Sequence, residues 1–185
     1  MKIINLHTKE EKLIKACLKN DVRAQYKLYD KYAPKMLGVC KMYVNDLQHA
    51  EDCLSKVFVK VFANLNKFEF AGSFEGWIRK ICTRECIDFI RKKEFLAFNE
   101  NYAEIEQEEI QVDFENLALA EKILNQLPKG YRAIFIMKEV EDFNHAEISK
   151  LLGVSENTSR SQLWKAKKKI QELLLKTKAN ETASK

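Results

Sequence analysis

Residues 143–174 read FNHAEISKLLGVSENTSRSQLWKAKKKIQELL, and the punctuation of this stretch decides the fold of the C-terminal part of the chain. Asn144 followed three residues later by Glu147 is a capping-type helix start, in which each side chain serves the other's backbone amide. Ile148, Leu151 and Leu152 then form one buried side, Gly153 permits a tight turn, and Ser155 caps a second helix. Eight residues from His145 to Leu152, a glycine turn and a helix starting at Ser155 make helix-turn-helix spacing, whose second helix enters the major groove by its N-terminal part. That helix carries Arg160, Lys165, Lys167, Lys168 and Lys169, with Asn157, Thr158, Ser161 and Gln162 as hydrogen-bonding groups suited to base edges or phosphates. Trp164 reads two ways, as a contact to a thymine methyl or as part of the small domain's core.

Before this stretch, Leu117, Ala120, Ile123, Leu124 and Leu127 predict a short helix ended by Pro128, and Ile134, Phe135, Met137 and Val140 mark another. In the N-terminal half, Thr8 and Glu11 form a capping-box pattern ahead of Leu13, Ile14, Ala16, Cys17 and Leu18. Asp21 caps a second helix whose Val22, Tyr26, Leu28, Tyr29, Tyr32, Met36, Leu37, Val39, Cys40 and Tyr43 supply apolar contacts, with Pro34 bending or interrupting it. Asp46 opens a third, running to about Asn64, with Ala50, Cys53, Leu54, Val57, Phe58, Val61, Phe62 and Leu65 at spacings of three and four.

Between Asn64 and Ser73 the pattern breaks into the aromatic-bearing loop NLNKFEFAGS. Ser73 then caps a helix from Phe74 to about Lys93, with Trp77, Ile78, Ile81, Cys82, Ile87 and Ile90 as its buried stripe. Its other side carries Arg79, Lys80, Arg84, Arg91, Lys92 and Lys93. A cationic surface beside an aromatic loop is what single-strand DNA binders use for phosphates and unstacked bases, although a merely solvated basic face has the same composition.

The 185 residues include only Pro34 and Pro128 and five glycines, so the chain reads as all-α. The formal charge of +5 is divided unevenly. Residues 1–93 hold 19 Lys and Arg against 11 Asp and Glu, residues 94–115 none against eight, and residues 116–185 hold 13 against eight. Two basic domains joined by an acidic strap suit a polyanion gripped at two places. The expected boundaries are a helical domain over 8–93, an acidic flexible linker over 94–115, a helix-turn-helix domain over 116–175 and a disordered tail over 176–185.

The five cysteines, Cys17, Cys40, Cys53, Cys82 and Cys86, contain no CxxC pair, and His7, His49 and His145 are scattered. Local spacing therefore assembles no metal ligand set, and free, mostly buried thiols are expected, with no cofactor. No apolar run of about 18 residues exists to cross a membrane, and Met1 to Lys12 lacks a signal-peptide core. The expected location is the cytoplasm. No nucleophile–base pair or glycine-rich phosphate loop argues for an enzyme.

Three motifs, AEDCLSKVFVKVFANLNKF (50–68), GSFEGWIRKICTRECIDFIRKK (72–93) and LPKGYRAIFIMKEVEDFNHAEISKLLGVSENTSRSQLWKAKKKI (127–170), resemble the RNA polymerase sigma factors of the extracytoplasmic-function type. The resemblance runs from about Glu10 to Leu174. It implies two domains, sigma regions 2 and 4, that bind core RNA polymerase, direct it to promoters and assist melting. In region 2 it assigns Glu51, Asp52, Phe58, Lys60 and Phe62 to a polymerase coiled coil. Phe68 and its loop would hold a flipped base of the single-stranded minus-ten element, with Trp77, Arg79, Lys80, Arg84 and Arg91 following the strand. In region 4, Asn157, Thr158, Arg160, Ser161, Trp164, Lys165 and Lys168 would read or grip the duplex minus-thirty-five element. An anti-sigma partner holding the free protein is common in the family.

Four positions depart from the family pattern: Ser55 and Lys56 stand where Gln-Glu is usual, Arg84 where asparagine is common, and Ser159 where valine is usual. Burying the Ser159 hydroxyl without a partner would cost about 1–3 kcal/mol. A stand-alone helix-turn-helix regulator would explain the last 70 residues only, and no heptad seam for its dimerisation is present. A helical protein-binding adaptor would leave both basic faces as coincidence.

Overall fold

The computed structural model describes residues 4–93, 110–112 and 117–183. The expected acidic linker therefore lies outside the described residues except for 110–112. Among those described, every regular element is helical: α1 (Ile4–Leu18), α2 (Val22–Tyr43), α3 (Leu47–Ala63), α4 (Phe74–Lys93), α5 (Leu117–Leu124), α6 (Lys129–Phe135), α7 (His145–Leu152) and α8 (Glu156–Ala183). They form two compact units by contact, 1–86 and 87–185.

In the first unit the caps act as their sequence implies. The Asp21 carboxylate accepts from the amides of Arg23 and Ala24, Asp46 accepts from His49, and the Ser73 hydroxyl accepts from Gly76. Helix α1 begins earlier than expected, at Ile4, and Thr8 lies inside it; the preceding residues contain no Gly or Pro to stop propagation. Pro34 does not interrupt α2. It is exposed, as is Asp30 one turn back, so water can serve the carbonyl that a proline leaves unpaired.

Helix α2 packs on α1 and α3. Leu28, Met36, Ala50, Val57, Val61 and Ile78 are completely buried, and α1 is tied to α2 by the Tyr32 hydroxyl, which donates to the Glu10 carboxylate that also pairs with Lys31. Val22 and Tyr26 were expected in this core and instead face outward, 74% and 70% exposed.

In the second unit α8 is the spine on which α5, α6 and α7 pack. Ile123, Ile134, Ile136, Met137, Ile148, Ala166 and Ile170 are completely buried. Helix α6 runs into a π-turn over Ile136–Val140, closed by Glu141 N donating to Ile136 O at 3.0 Å. The wider turn shifts the helical register, and Val140, expected on the apolar stripe, is turned out to solvent. Helix α8 continues to Ala183 where composition predicts a disordered tail. No Gly or Pro follows Gly153, and Thr177 Oγ1 donates to the Leu173 carbonyl at 2.9 Å.

Between α7 and α8, Gly153 adopts φ 70, ψ 34, a left-handed conformation that closes α7. A Cβ there would meet nothing within 4 Å, so the cost of substitution is conformational and not steric. Gly153→Ala is expected to lower stability by about 1–2 kcal/mol, and Gly153→Asn by less, as read by urea unfolding. Equal effects of the two would mean that φ is not the constraint.

Candidate nucleic-acid interface

The helix-turn-helix is built by short-range bonds. Asn144 Oδ1 accepts from Glu147 N and Glu147 Oε2 accepts from Asn144 N, both at 2.9 Å, completing the capping box. Gly153 N donates to Ser149 O at 2.9 Å, and Ser149 Oγ donates to Val154 O at 2.6 Å. Ser155 Oγ accepts from Thr158 N at 2.9 Å and lies 2.8 Å from Thr158 Oγ1. The Thr158 hydroxyl thus belongs to the cap, and the side chain is buried, which removes it from the expected base-reading set. Gln162 is also lost from that set, because it is completely buried one turn further along the inward side of α8.

The outward side of α8 keeps Asn157, Arg160 and Lys168 exposed and Ser161, Trp164 and Lys165 half-buried. Arg160 Nη2 pairs with Glu156 Oε2 at 2.9 Å, and Nη1 donates to Asn157 Oδ1 at 3.4 Å. Trp164 is half-buried. Its indole Nε1 is buried with no acceptor among the described residues, while the Lys168 ammonium lies 5.1 Å from the ring centroid, within cation–π range. Lys167 is drawn to Glu139 at 3.0 Å and Lys169 to Glu172 at 3.2 Å.

In the first unit, the loop before α4 is an aromatic cluster. Phe68 is its buried hub, with ring centroids 4.9 Å from Phe70, 4.9 Å from Phe74 and 5.6 Å from Trp77. Phe68 therefore supports the loop and does not present an open face. The exposed ring is Phe70, at φ 58, a conformation rare for a bulky side chain, with the Lys15 ammonium 5.9 Å from its centroid. The FEF run showed an aromatic loop, but no sequence rule tells which of its rings faces outward. Trp77 is half-buried beside it, and along α4 Arg79 is half-buried while Lys80, Arg84 and Arg91 are exposed.

On α3, Glu51, Asp52 and Lys60 are exposed and Phe62 is half-buried, whereas Phe58 is buried. The Phe58 ring lies 4.6 Å from Tyr29 and 6.0 Å from Phe62. As an expected polymerase contact it is corrected to a core residue, because the α2–α3 spacing drives it against Tyr29. Lys60 pairs with the buried Glu85 carboxylate of α4. Exposed large apolar side chains on these helices include Val59 of α3, 70% exposed, and Val22, Tyr26 and Tyr29 of α2. The departing pair Ser55 and Lys56 is exposed, and Ser55 Oγ donates to Glu51 O at 3.0 Å.

Two family descriptions match this chain, Sigma-70 region 2 over residues 28–95 and Sigma-70, region 4 over residues 117–170. The ECF RNA polymerase sigma factor SigW of Bacillus subtilis is 25% identical over 181 residues, covering 89% of this chain and 96% of SigW. The RNA polymerase sigma-H factor of Pseudomonas aeruginosa is 23% identical over 180 residues, 89% of this chain and 93% of that protein. The chain belongs to the extracytoplasmic-function sigma factors of the sigma-70 family. Its fold is similar to that of the sigma factor RpoE solved with the anti-sigma factor NepR from Bartonella quintana, at TM-score 0.51 and 20% identity, covering 83% of this chain and 98% of that one.

Within region 4, the unusual Ser159 is not an orphan. Its hydroxyl lies 2.9 Å from His145 Nδ1, so the expected desolvation cost of a lone buried hydroxyl does not apply. Partial burial and the nearby Arg160 and Lys138 cations hold the His145 pKa below its ordinary 6.5, with Glu156 and Glu139 opposing them. The unfolded chain thus takes up the proton more readily than the folded one. The associated stability is full above about pH 6.5 and is lost as pH falls through the lower folded value. Region 4 of this sigma factor is expected to unfold at lower urea at about pH 5.5 than at about pH 7.5, and His145→Asn to flatten that difference. An unchanged pH slope in the variant would show that His145 is not its source.

Proposed function

We propose that this sigma factor directs core RNA polymerase to promoters by two separate grips on DNA and itself catalyses no reaction. The carrying observation is the division of α8. One side is buried through Thr158, Ser159, Gln162 and Ala166, and the other presents Asn157, Arg160 and Lys168. A recognition helix needs this arrangement, with polar forks for base edges toward its N-terminus and cations for phosphates further on. In region 2, Phe70 and Trp77 beside Lys80 and Arg84 suit an unstacked base and its flanking phosphates. Glu51, Asp52, Val59 and the Val22–Tyr26–Tyr29 stripe are the surface offered to polymerase.

Neither grip needs high affinity, since polymerase holds both regions at a set separation and raises their effective concentration. The two regions correspond to about 8–93 and 116–175, with the acidic stretch between them kept off the DNA by its charge. No described helix is long and apolar enough to cross a membrane, and the site of action is where polymerase and DNA are, in the cytoplasm. An anti-sigma protein completes the set of partners, as seen for RpoE with NepR.

Transcription from a library of promoter fragments by bacterial core polymerase, with and without the protein, tests this reading. Protein-dependent starts that share two spaced elements are expected. Duplex binding by the free protein, with neither polymerase association nor initiation, would replace it with the stand-alone regulator.

A further inference from the structure

Four of the five cysteines converge in the middle of region 2, although local spacing in the sequence assembles no ligand set from them. Cys40 comes from α2, Cys53 from α3, and Cys82 and Cys86 from successive turns of α4, and all four are completely buried. The Sγ atoms of Cys40, Cys82 and Cys86 all lie within 4.8 Å of one another. Cys40 and Cys82 are 3.4 Å apart, Cys82 Sγ is 3.7 Å from the Met36 carbonyl oxygen, and Cys53 neighbours Cys86. Sulfur faces sulfur here, in the buried interior of the unit.

We propose that region 2 holds a thiophilic d10 metal ion, Zn2+ or Cu+, on Cys40, Cys82 and Cys86, with Cys53 as a fourth sulfur. Tetrahedral zinc with Zn–S bonds of about 2.3 Å places its sulfurs about 3.8 Å apart. The separations among Cys40, Cys82 and Cys86 bracket that value, so shifts of less than about an ångström would seat those three, and Cys53, outside the 4.8 Å group, would have to approach to supply the fourth sulfur. Cu+ accepts the same soft donors, whereas magnesium and calcium require oxygen ligands. Cys82 and Cys86, one turn apart, give a chelating pair on one side of α4, and Cys40 and Cys53 close it from two other helices. Binding releases thiol protons to the buffer and changes no oxidation state. Because the ligands come from three helices, the site exists only in the folded bundle, and the ion stabilises that bundle against unfolding.

The test uses the full chain, stripped of metal in denaturant under reducing conditions and refolded with Zn2+, with Cu+, or with Co2+ as a spectroscopic stand-in for zinc. Expected are one ion retained per chain through desalting, sulfur-to-cobalt charge-transfer absorption, and a Tm higher by at least about 5 °C with the preferred ion. Retention of Zn2+ alone or Cu+ alone supports the site and identifies its ion. Cys17→Ser is expected to behave as the unmodified chain, and a variant lacking Cys40, Cys82 and Cys86 to lose the ion, its helicity being checked by circular dichroism. If that variant does not fold, Cys82→Ser is expected to weaken Zn2+ or Cu+ binding by at least about tenfold. The proposal is overturned if neither ion is retained and Tm does not move, or if variants lacking Cys40 and Cys82 bind the ion as the unmodified chain does.

Discussion

Phe58→Ala is expected to destabilise region 2 by about 3–5 kcal/mol, the range for removing a buried aromatic ring. The buried ring packs between α2 and α3 against Tyr29 and Phe62, and its removal leaves a void there. A loss of that size is a large part of the stability of a small domain, so the variant should unfold at much lower urea and shed its near-ultraviolet dichroism. The adjacent Val59 separates packing from docking. It is 70% exposed, so Val59→Asp should leave stability within about 0.5 kcal/mol. The buried charge in the complex is expected to weaken core polymerase binding by at least about tenfold. If Phe58→Ala unfolded normally and lost only polymerase affinity, its ring would be a contact and the packing account would be wrong.

Arg160→Ala is expected to reduce initiation by about 5- to 150-fold, as 1–3 kcal/mol implies, on promoters bearing the preferred base opposite it, and far less on others. Its ion pair with Glu156 joins side chains that are 48% and 46% exposed, so breaking the pair should not measurably change folding. Lys168 is a point charge resting on the Trp164 ring. Lys168→Ala should lower binding evenly across sequences and reduce the salt dependence by about one counterion. Equal losses for the two variants on every promoter would contradict this division between base reading and phosphate attraction.

Much of the candidate interface was legible because its signals are local. The Asn144–Glu147 box, the Gly153 turn and the Ser155 cap each act within four residues, through bonds to nearby backbone, and all appear as read. The helix-turn-helix and the outward Asn157, Arg160 and Lys168 follow from them. Thr158 and Gln162 were misplaced because polarity suggested solvent. In the structure Thr158 completes a cap and Gln162 lies on the buried side. Phe58 is buried as its spacing on the apolar stripe implies, against the outward role the resemblance gave it, and Phe68 is buried where an open ring was expected. A motif identifies an aromatic position but not which of several neighbouring rings becomes the hub, and that depends on how α2, α3 and α4 close on one another.

By itself the sequence determined that the chain is helical, where most of its helices begin, that its charge falls in basic, acidic and basic blocks, and to which family it belongs. These properties rest on capping bonds, side-chain periodicity and composition, all of which act over a few residues. The tertiary structure alone decided that Val22, Tyr26 and Val59 face outward, that Ser159 finds a partner in His145, that Phe70 is the exposed ring, and that cysteines from three helices meet. Each of these is a contact or exposure set by residues distant in the chain. Such an outcome is fixed only when whole helices pack and each side chain's neighbours are known.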